Sequence, residues 1–421
     1  MTSPKADPGP KCVHFKRSNG ACLGEVKKHA GAHFCPIHHP AADRIAEFVT
    51  AFHQKIENSD FNFAWARVPM VLLTDEQEWT GDADFSHAVF TGDVAFRNVF
   101  AGNAKFFNAR FQGYFGASTV FRGAVDFTVC EFAGTANFVD SKFEGPVNFL
   151  GAKIVGPAMF DRVTFASSAS FAATFGDSVS FTGTEEQNAF ALDQRVSFDA
   201  VRFDKPDLVM FYDSILRPVW FIGGSASKVT FRNITWDYTC GNEIRTATDI
   251  YGSLGYTLMA EAYRELAINS EDEHRYREAS DFRYASMEAQ RFAKKNGHAF
   301  WTLHWWYWVA SGYGERIGRA TLALVALWLL FGLIYTQVGF ARTDVQPTIA
   351  TQQVASVPED TVGRPLRLSK ALMYSLGTLS LQKPDPKPVT DAATFFVIVE
   401  SVFGPLQAAL LILAVRRKFM R

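Results

Sequence analysis

The chain has 421 residues, with 42 basic and 43 acidic side chains and a formal charge of −1. This length allows several domains, and the balanced charge carries no global polyelectrolyte signal, so a nucleic-acid partner is not indicated. The 40 Phe residues are far more than a globular chain of this size usually contains, which indicates a repeat.

The first 45 residues combine soft metal ligands with a composition that cannot form a hydrophobic core. Cys35 and His38 have the C-x2-H spacing typical of zinc knuckles, whereas the gap from Cys12 to Cys22 is unusually wide. In a reducing compartment such cysteines are thiols or metal ligands rather than disulfides. We therefore predict a zinc-binding module at 1–45, with Cys12, Cys22, Cys35 and His38 as the ligands.

The identity of the fourth ligand stays open, because four further histidines lie nearby: His14, His29, His33 and His39. A zinc ion would supply the folding energy that so short a segment lacks. The competing interpretation is a disordered tail with incidental cysteines. No general acid or base stands beside the cluster, so we expect a structural role or a role in partner recognition.

A Phe repeat begins near residue 83, after a helical or irregular lead-in at 46–82. Between Phe127 and Phe171 its large residues recur at alternating steps of five and six, a period that neither a helix nor a flat sheet has. A small side chain precedes most of them by two positions. The large residues are Phe85, Phe90, Phe96, Phe106, Phe111, Phe121, Phe127, Phe132, Phe138, Phe143, Phe149, Ile154, Phe160, Phe165, Phe171, Phe175 and Phe181.

A coil with sides of five residues explains this period, because each side points one small and one large residue inward while Gly and Asn turn the corners. The pattern over 83–211, and as far as 238, resembles the pentapeptide-repeat family in its Phe-centred form. The resemblance implies a right-handed quadrilateral β-helix with stacked Phe on its axis. We expect Asp126, Asn137 and Asn148 to point outward as solvated or turn-capping groups.

Some pentapeptide proteins mimic DNA with a heavily acidic face. From 82 to 211 this chain has 15 acidic and 10 basic side chains, a bias too mild to favour that role. We also expect no catalytic site in the coil, because Phe fills its axis.

Residues 250–297 change to helical periodicity and predict a helical hairpin, with Asn269 or Ser270 as the N-cap of its second helix. The segment resembles the helical connectors between pentapeptide rods and membrane pores in a group of bacterial proteins. This resemblance implies a rigid spacer, with a binding groove as the alternative.

Residues 298–421 predict a membrane domain. An aromatic segment rich in Trp and Tyr precedes two apolar spans, at about 318–340 and 391–415, and is typical of a helix at the membrane interface. Arginines stand before the first span and after the second, and no apolar signal segment opens the chain. We therefore predict a multi-pass protein of the inner (plasma) membrane with cytoplasmic N- and C-termini.

The segment at 369–385, between the spans, is too short to cross a bilayer and too apolar for an exposed loop. This order of span, short segment and span resembles the two-transmembrane pore module of tetrameric potassium-type channels. The resemblance implies a re-entrant pore helix and a filter at Thr378, Leu379, Ser380, Leu381, Gln382 and Lys383. Potassium filters use T-V-G-Y-G, and this stretch has no glycine, so the resemblance implies no potassium selectivity.

The second span resembles the inner helix of such a module. Glu400, Gly404, Gln407 and Leu411 follow i, i+4, i+7 and i+11, so they share one face, and we predict cavity-lining side chains with a hinge at Gly404. Two alternatives stay open. Glu400 hydrogen-bonds behind the pore helix, or the Gly404-Pro405 pair is a static kink.

These features predict a tetrameric, ion-channel-like membrane protein of unspecified selectivity, whose cytosolic rods sense a signal or recruit a partner. The expected partners are membrane lipid, permeant ions, further copies of the chain and a cytosolic protein, with no nucleic acid. The alternative is a non-conducting, membrane-tethered pentapeptide-repeat scaffold. An enzyme is the least supported reading, because the sequence contains no nucleophile and base pair, phosphate loop or open metal site.

Overall fold

The computed structural model describes residues 11–14, 16, 22, 26–40, 44–69, 72–74, 76–183, 189–190, 195–293, 302–341 and 363–419. It divides into two compact units, Met1–Asn269 and Ser270–Arg421. Parts of the predicted repeat (184–188 and 191–194), of the aromatic segment and of the loop between the spans (342–362) lie outside the described residues.

The first unit begins with a small antiparallel hairpin of strands β1 (Lys27–His29) and β2 (Ala32–Phe34), followed by a 3-10 turn at Pro36–His38. Helix α1 (Ile45–Glu57) follows and buries Phe48 and Phe52. The Phe52 ring stacks on Phe63 with centroids 4.7 Å apart, and Phe63 stacks on Phe85 at 5.2 Å. Helix α1 therefore covers the first layer of the coil that follows, as the terminal element of a solenoid must.

The repeat folds as a parallel β-solenoid with four faces, which we number 1 to 4 in chain order from residue 83. Face 1 has six strands: Ala83–Asp84, Ala104–Lys105, Val125–Asp126, Val147–Asn148, Ala169–Ser170 and Val196–Ser197. Face 2 has seven: Arg67–Val68, Val89–Phe90, Arg110–Phe111, Glu131–Phe132, Lys153–Ile154, Thr174–Phe175 and Arg202–Phe203.

Face 3 has eight strands: Leu72–Leu73, Val94–Phe96, Phe115–Ala117, Ala136–Asn137, Ala158–Asp161, Val179–Thr182, Val209–Leu216 and Thr230–Trp236. Face 4 has five: Glu78–Trp79, Val99–Phe100, Val120–Phe121, Lys142–Phe143 and Thr164–Phe165. The strands at 67–79 belong to the solenoid, so regular coil structure begins before residue 83. Two more 3-10 turns, Pro206–Leu208 and Pro218–Phe221, accompany the last layers.

The predicted inward register is confirmed. The large residues of the repeat and the small ones that precede them are buried, and the rings stack in columns along the axis. In one column the centroids of Phe106, Phe127, Phe149 and Phe171 follow one another at 4.8, 4.9 and 5.5 Å. This β-solenoid with Phe-rich stacking is consistent with pentapeptide repeats.

The corners are capped by the side chains that were predicted to point outward. Asp126, Asn137 and Asn148 are partly exposed, and each accepts a hydrogen bond from the backbone N–H two residues later. This Asx turn satisfies a backbone donor where the chain leaves the ladder. One residue further on the backbone is left-handed, with φ +57° at Val129, +61° at Asp140 and +68° at Gly151, and of these three only the glycine adopts this region without strain.

The last layer of the solenoid is covered by helices α2 (Cys240–Tyr251) and α3 (Leu254–Asp272). The buried Glu243 carboxylate accepts hydrogen bonds from Arg217 Nη2 at 2.6 Å and from the backbone N–H of Val219 at 2.9 Å. Burial raises the pKa of Glu243, although Arg217 and Val219 act in the opposite direction.

The prediction of an N-cap at Asn269 or Ser270 is wrong, because α3 continues through both residues. The Asn269 amide instead donates to the carbonyls of Ala226 at 3.0 Å and Val229 at 2.5 Å. The carbonyl groups at the end of the solenoid therefore receive their hydrogen bonds from Asn269, and this long-range contact outweighs the local preference of Asn for a helix N-cap. Packing of α3 and the following helix as a hairpin stays a prediction.

The second unit contains five helices among its described residues. They are α4 (Tyr276–Ala293), α5 (Leu303–Ser311), α6 (Ile317–Ile334), α7 (Leu368–Leu379) and α8 (Asp391–Phe419). Thr302 caps α5, since its side chain accepts from the N–H of Trp305. A core of buried residues joins the α6 end, α7 and the start of α8: Phe331, Tyr335, Phe340, Ala371, Tyr374 and Ala393.

Candidate metal centre and candidate membrane helices

The four predicted metal ligands come together in the structure. The sulfur atoms of Cys12, Cys22 and Cys35 and a nitrogen of His38 all lie within 4.8 Å of one another. His38 Nδ1 is 3.5, 3.4 and 3.0 Å from the three sulfur atoms. A tetrahedral zinc ion with standard bond lengths places its nitrogen and sulfur ligands about 3.5 Å apart. The cluster is therefore close enough to bind a metal ion, and its donors are compatible with zinc.

The orientation of His38 also suits a metal ligand. Its Nε2 lies 2.9 Å from the carbonyl oxygen of Ala64, which can only accept, so Nε2 carries the proton and donates. Nδ1 then presents its lone pair to the sulfur atoms, the arrangement that a second hydrogen bond imposes on metal-binding histidines. Ala64 lies three residues before Arg67, the first residue of face 2, so this bond also ties the module to the solenoid.

The structure selects His38 from the five histidines that the sequence left open. His14 stacks on Trp65 with ring centroids 5.3 Å apart, and His29 packs edge-on against His39 at 5.0 Å. His33 lies in strand β2, one side of the small hairpin. The 3-10 turn after Cys35 brings His38 back over the Cys35 sulfur atom, and the carbonyl of Ala64 fixes the orientation of its ring.

Helices α6 and α8 are long and apolar enough to cross a membrane. Their apolar side chains are mostly exposed in the chain, whereas the core helix of a soluble protein would be mostly buried. Leu322 on α6 is 71% exposed and Ile412 on α8 is 67% exposed. This exposure is weakly compatible with membrane association.

The short helix α7 packs against both apolar helices. The indole Nε1 of Trp328 on α6 donates to the carbonyl of Leu372 at 2.9 Å, and the hydroxyl oxygen of Ser375 lies 3.2 Å from the carbonyl oxygen of Trp328. Glycines permit this close approach, because a side chain at Gly332 would overlap Leu372. Leu379 makes the corresponding contact with Gly404 on α8.

The side chains of Glu400 and Gln407 on α8 are hydrogen-bonded within the chain. Glu400 is fully buried, and the hydroxyls of Tyr335 and Ser375 donate to its two carboxylate oxygens. The Gln407 amide donates to the backbone carbonyls of Ala310 at 2.8 Å and Ala320 at 2.9 Å. Leu411 is partly exposed. The contacts of Glu400 fit the alternative in which it bonds behind α7, and a cavity-lining role for these residues stays a prediction.

The predicted filter residues lie in two different environments, one buried and one exposed. Thr378 is buried and donates to the carbonyl of Tyr374 at 3.1 Å, and Leu379 packs on Gly404. The next four residues are exposed: Ser380, Leu381, Gln382 and Lys383. The chain reverses at Leu381, which has a left-handed φ of +60°, and the N–H of Gln382 bonds back to the carbonyl of Gly377.

Sequence reasoning missed Tyr335 and Ser375, because each lies in an apolar segment far along the chain from Glu400. Their only signal is a hydroxyl within a run of apolar residues, and many such hydroxyls bond locally to the preceding helical turn. The comparisons with known proteins give no match: no family model, no curated protein and no solved structure matches this chain.

Proposed function

We propose that this chain is a subunit of a tetrameric, ion-channel-like protein of the inner (plasma) membrane. Its β-solenoid and metal module lie in the cytosol and sense a signal or recruit a protein partner. The observation that carries the proposal is the packing of the short helix α7 against the two apolar helices α6 and α8. Helix α7 has 12 residues, too few to cross a bilayer, and its C-terminal turn projects exposed polar groups.

The exposed turn at 380–383 supports a pore loop. Irregular backbone at membrane depth is tolerated only where protein buries it or water surrounds it. Ser380 through Lys383 are not buried by the described part of their own chain. Copies of the chain around a common axis would cover one side of these turns and leave the other open to water. Such a turn is re-entrant, and its ion selectivity depends on Gln382 and Lys383 rather than on carbonyls turned inward by glycines.

The charges at the helix ends support the orientation. Arg316 and Arg319 precede the first apolar stretch, and Arg416, Arg417 and Lys418 follow the last. An excess of Arg and Lys at both outer ends places those ends in the cytosol. Both termini are then cytoplasmic, and residues 363–390 face the opposite side.

The N-terminal cluster is proposed to bind one structural zinc ion through Cys12, Cys22, Cys35 and His38. Three thiolates and one imidazole fill a tetrahedral site, which leaves no open position for a substrate. The chain's own part is to orient His38 through Ala64 and to bury the cluster against α1 and the first coil. The ion would thus stabilise the N-terminal end of the solenoid.

The alternative function is a non-conducting scaffold that the helices tether to the membrane. It is favoured by Glu400 and Gln407, whose polar atoms are bonded within one chain and leave no charge for a water-filled cavity. In that case α7 only holds α6 against α8. Oligomerisation then brings the solenoids together and forms no pore.

Current recordings in planar bilayers with asymmetric salt separate the two functions. Full-length protein, shown to be tetrameric by native mass spectrometry, should carry current, and Lys383→Glu should shift its reversal potential toward cation preference. Lys387→Glu is the matched control, because it makes the same charge change four residues away. Tetramers without current would refute the pore, and equal shifts in both variants would remove 380–383 from the ion path.

A further inference from the structure

A network of hydrogen bonds joins α4 to the segment before α6. We call α4 together with residues 308–316 the platform. Its hydrogen bonds run from Arg316 to Asp281 at 2.7 Å, from Tyr313 to Glu288 at 3.1 Å and from Trp308 to Tyr284 at 3.2 Å. The guanidinium of Arg291 also lies over the Trp308 ring, 4.6 Å from its centroid. These contacts are spread over several turns of α4 and hold residues 308–316 rigidly against that helix.

Glu315 places a buried carboxylate in the platform. Its side chain is 3% exposed. From α4, the hydroxyl of Ser280 donates to Oε2 at 2.8 Å and Arg283 Nε donates to Oε1 at 3.0 Å. These two donors from α4 hold the carboxylate in one orientation. A buried carboxylate held in this way is stable only with full compensation of its charge.

Helix α8 supplies a further cation to this carboxylate. Arg417 Nη1 donates to Glu315 Oε1 at 3.0 Å and to the carbonyl of Tyr313 at 3.2 Å. After Gln407, Arg417 is the one residue of α8 whose side chain makes a polar contact with the described part of the chain. Its neighbour Arg416 is exposed and has no ion pair with the described part of the chain. Arg417 is therefore ion-paired with Glu315, whereas the adjacent Arg416 is exposed to solvent.

The same half of α8 follows a weak point in the helix. Pro405 has no N–H, so the backbone ladder lacks one hydrogen bond at the carbonyl of Ser401. Gln407 fastens the next turn to α5 and α6. From there to its end, α8 depends on apolar packing and on Arg417.

We infer that Arg417 and Glu315 form the polar joint through which α4 sets the position of the C-terminal segment of α8, residues 408–419. Movement of α4 carries Glu315 with it, and Arg417 transmits that displacement to the end of α8. Loss of the joint frees this segment and leaves the N-terminal half of α8 in place, because Glu400 holds that half separately. The joint operates in a pore and in a scaffold alike, so it does not depend on conduction.

Hydrogen exchange of the full-length protein in lipid nanodiscs, followed by mass spectrometry of peptides, tests the joint. Arg417→Gln should raise exchange at 408–419 by about tenfold or more and leave 391–400 unchanged. Arg416→Gln is the matched control and should change neither peptide by more than about twofold. Equal exchange at 408–419 in the two variants would overturn the inference.

Two further variants keep the test decisive. If Arg417→Gln accelerates exchange throughout the unit, Arg417→Lys retains the charge, and its 408–419 exchange must still exceed that of Arg416→Gln. Glu315→Gln should reproduce the Arg417→Gln pattern at 408–419, and the double variant should exceed neither single variant. Independent, multiplying increases would show that the two residues are not coupled and would refute the joint.

Discussion

Truncation of one ring in the centre of the solenoid should destabilise the first unit strongly. Phe149 is fully buried, and four rings surround it: Phe127, Phe171, Phe138 and Phe160, with centroids at 4.9, 5.5, 5.7 and 5.8 Å. Phe→Ala changes in cores cost about 3–5 kcal/mol. The stacked layers above and below are held by ladder hydrogen bonds and cannot collapse into the cavity, so we expect about 4 kcal/mol or more for Phe149→Ala.

Thermal unfolding of the full-length protein in detergent measures this loss. In a unit of this size each kcal/mol lowers Tm by about 2–4 °C, so Phe149→Ala should lower it by at least about 8 °C. Lys142→Ala is the control, because its side chain is half exposed and its ion pair with Glu144 lies at the surface. Its Tm should move by less than about 2 °C. Equal shifts in the two variants would refute the inward Phe register.

Three other predictions concern the ends of the solenoid. Metal analysis of the purified protein should give one zinc per chain, which Cys35→Ser removes and His29→Ala retains; zinc unaffected by Cys35→Ser would contradict the site. Glu243→Gln should lower the unfolding free energy by about 3 kcal/mol in denaturant titrations, because Arg217 loses its buried partner; a change under about 0.5 kcal/mol would exclude that role. Burial and a bond to Asp199 raise the pKa of Tyr251 to about 12, so its contribution to stability is complete below about pH 10 and is lost as pH rises toward 12. Tyr251→Phe should flatten that part of the pH profile, and an unchanged slope would count against the bond.

The four metal ligands differ in how well the local sequence predicts them. Cys35 and His38 are three residues apart, so their approach needs only one turn of chain, and the spacing alone predicts it. Cys12 and Cys22 were identified by residue type, since few other roles suit a thiol in such a segment. The sequence left the choice among five histidines open, because the ring orientation that makes His38 a ligand depends on the carbonyl of Ala64, which is distant along the chain.

The sequence was sufficient to predict the solenoid, its inward residues and the two apolar helices. Each layer of a solenoid repeats the same local contacts, and each apolar helix is identified by composition alone, so short-range pattern is sufficient. Tertiary structure alone decided the partners of single polar groups. Asn269 caps the solenoid rather than a helix, Glu400 bonds Tyr335 and Ser375, and Glu315 meets Arg417. A buried polar group bonds whichever donor or acceptor the fold brings within about 3 Å, and residues distant in sequence carry no periodic signal of that meeting.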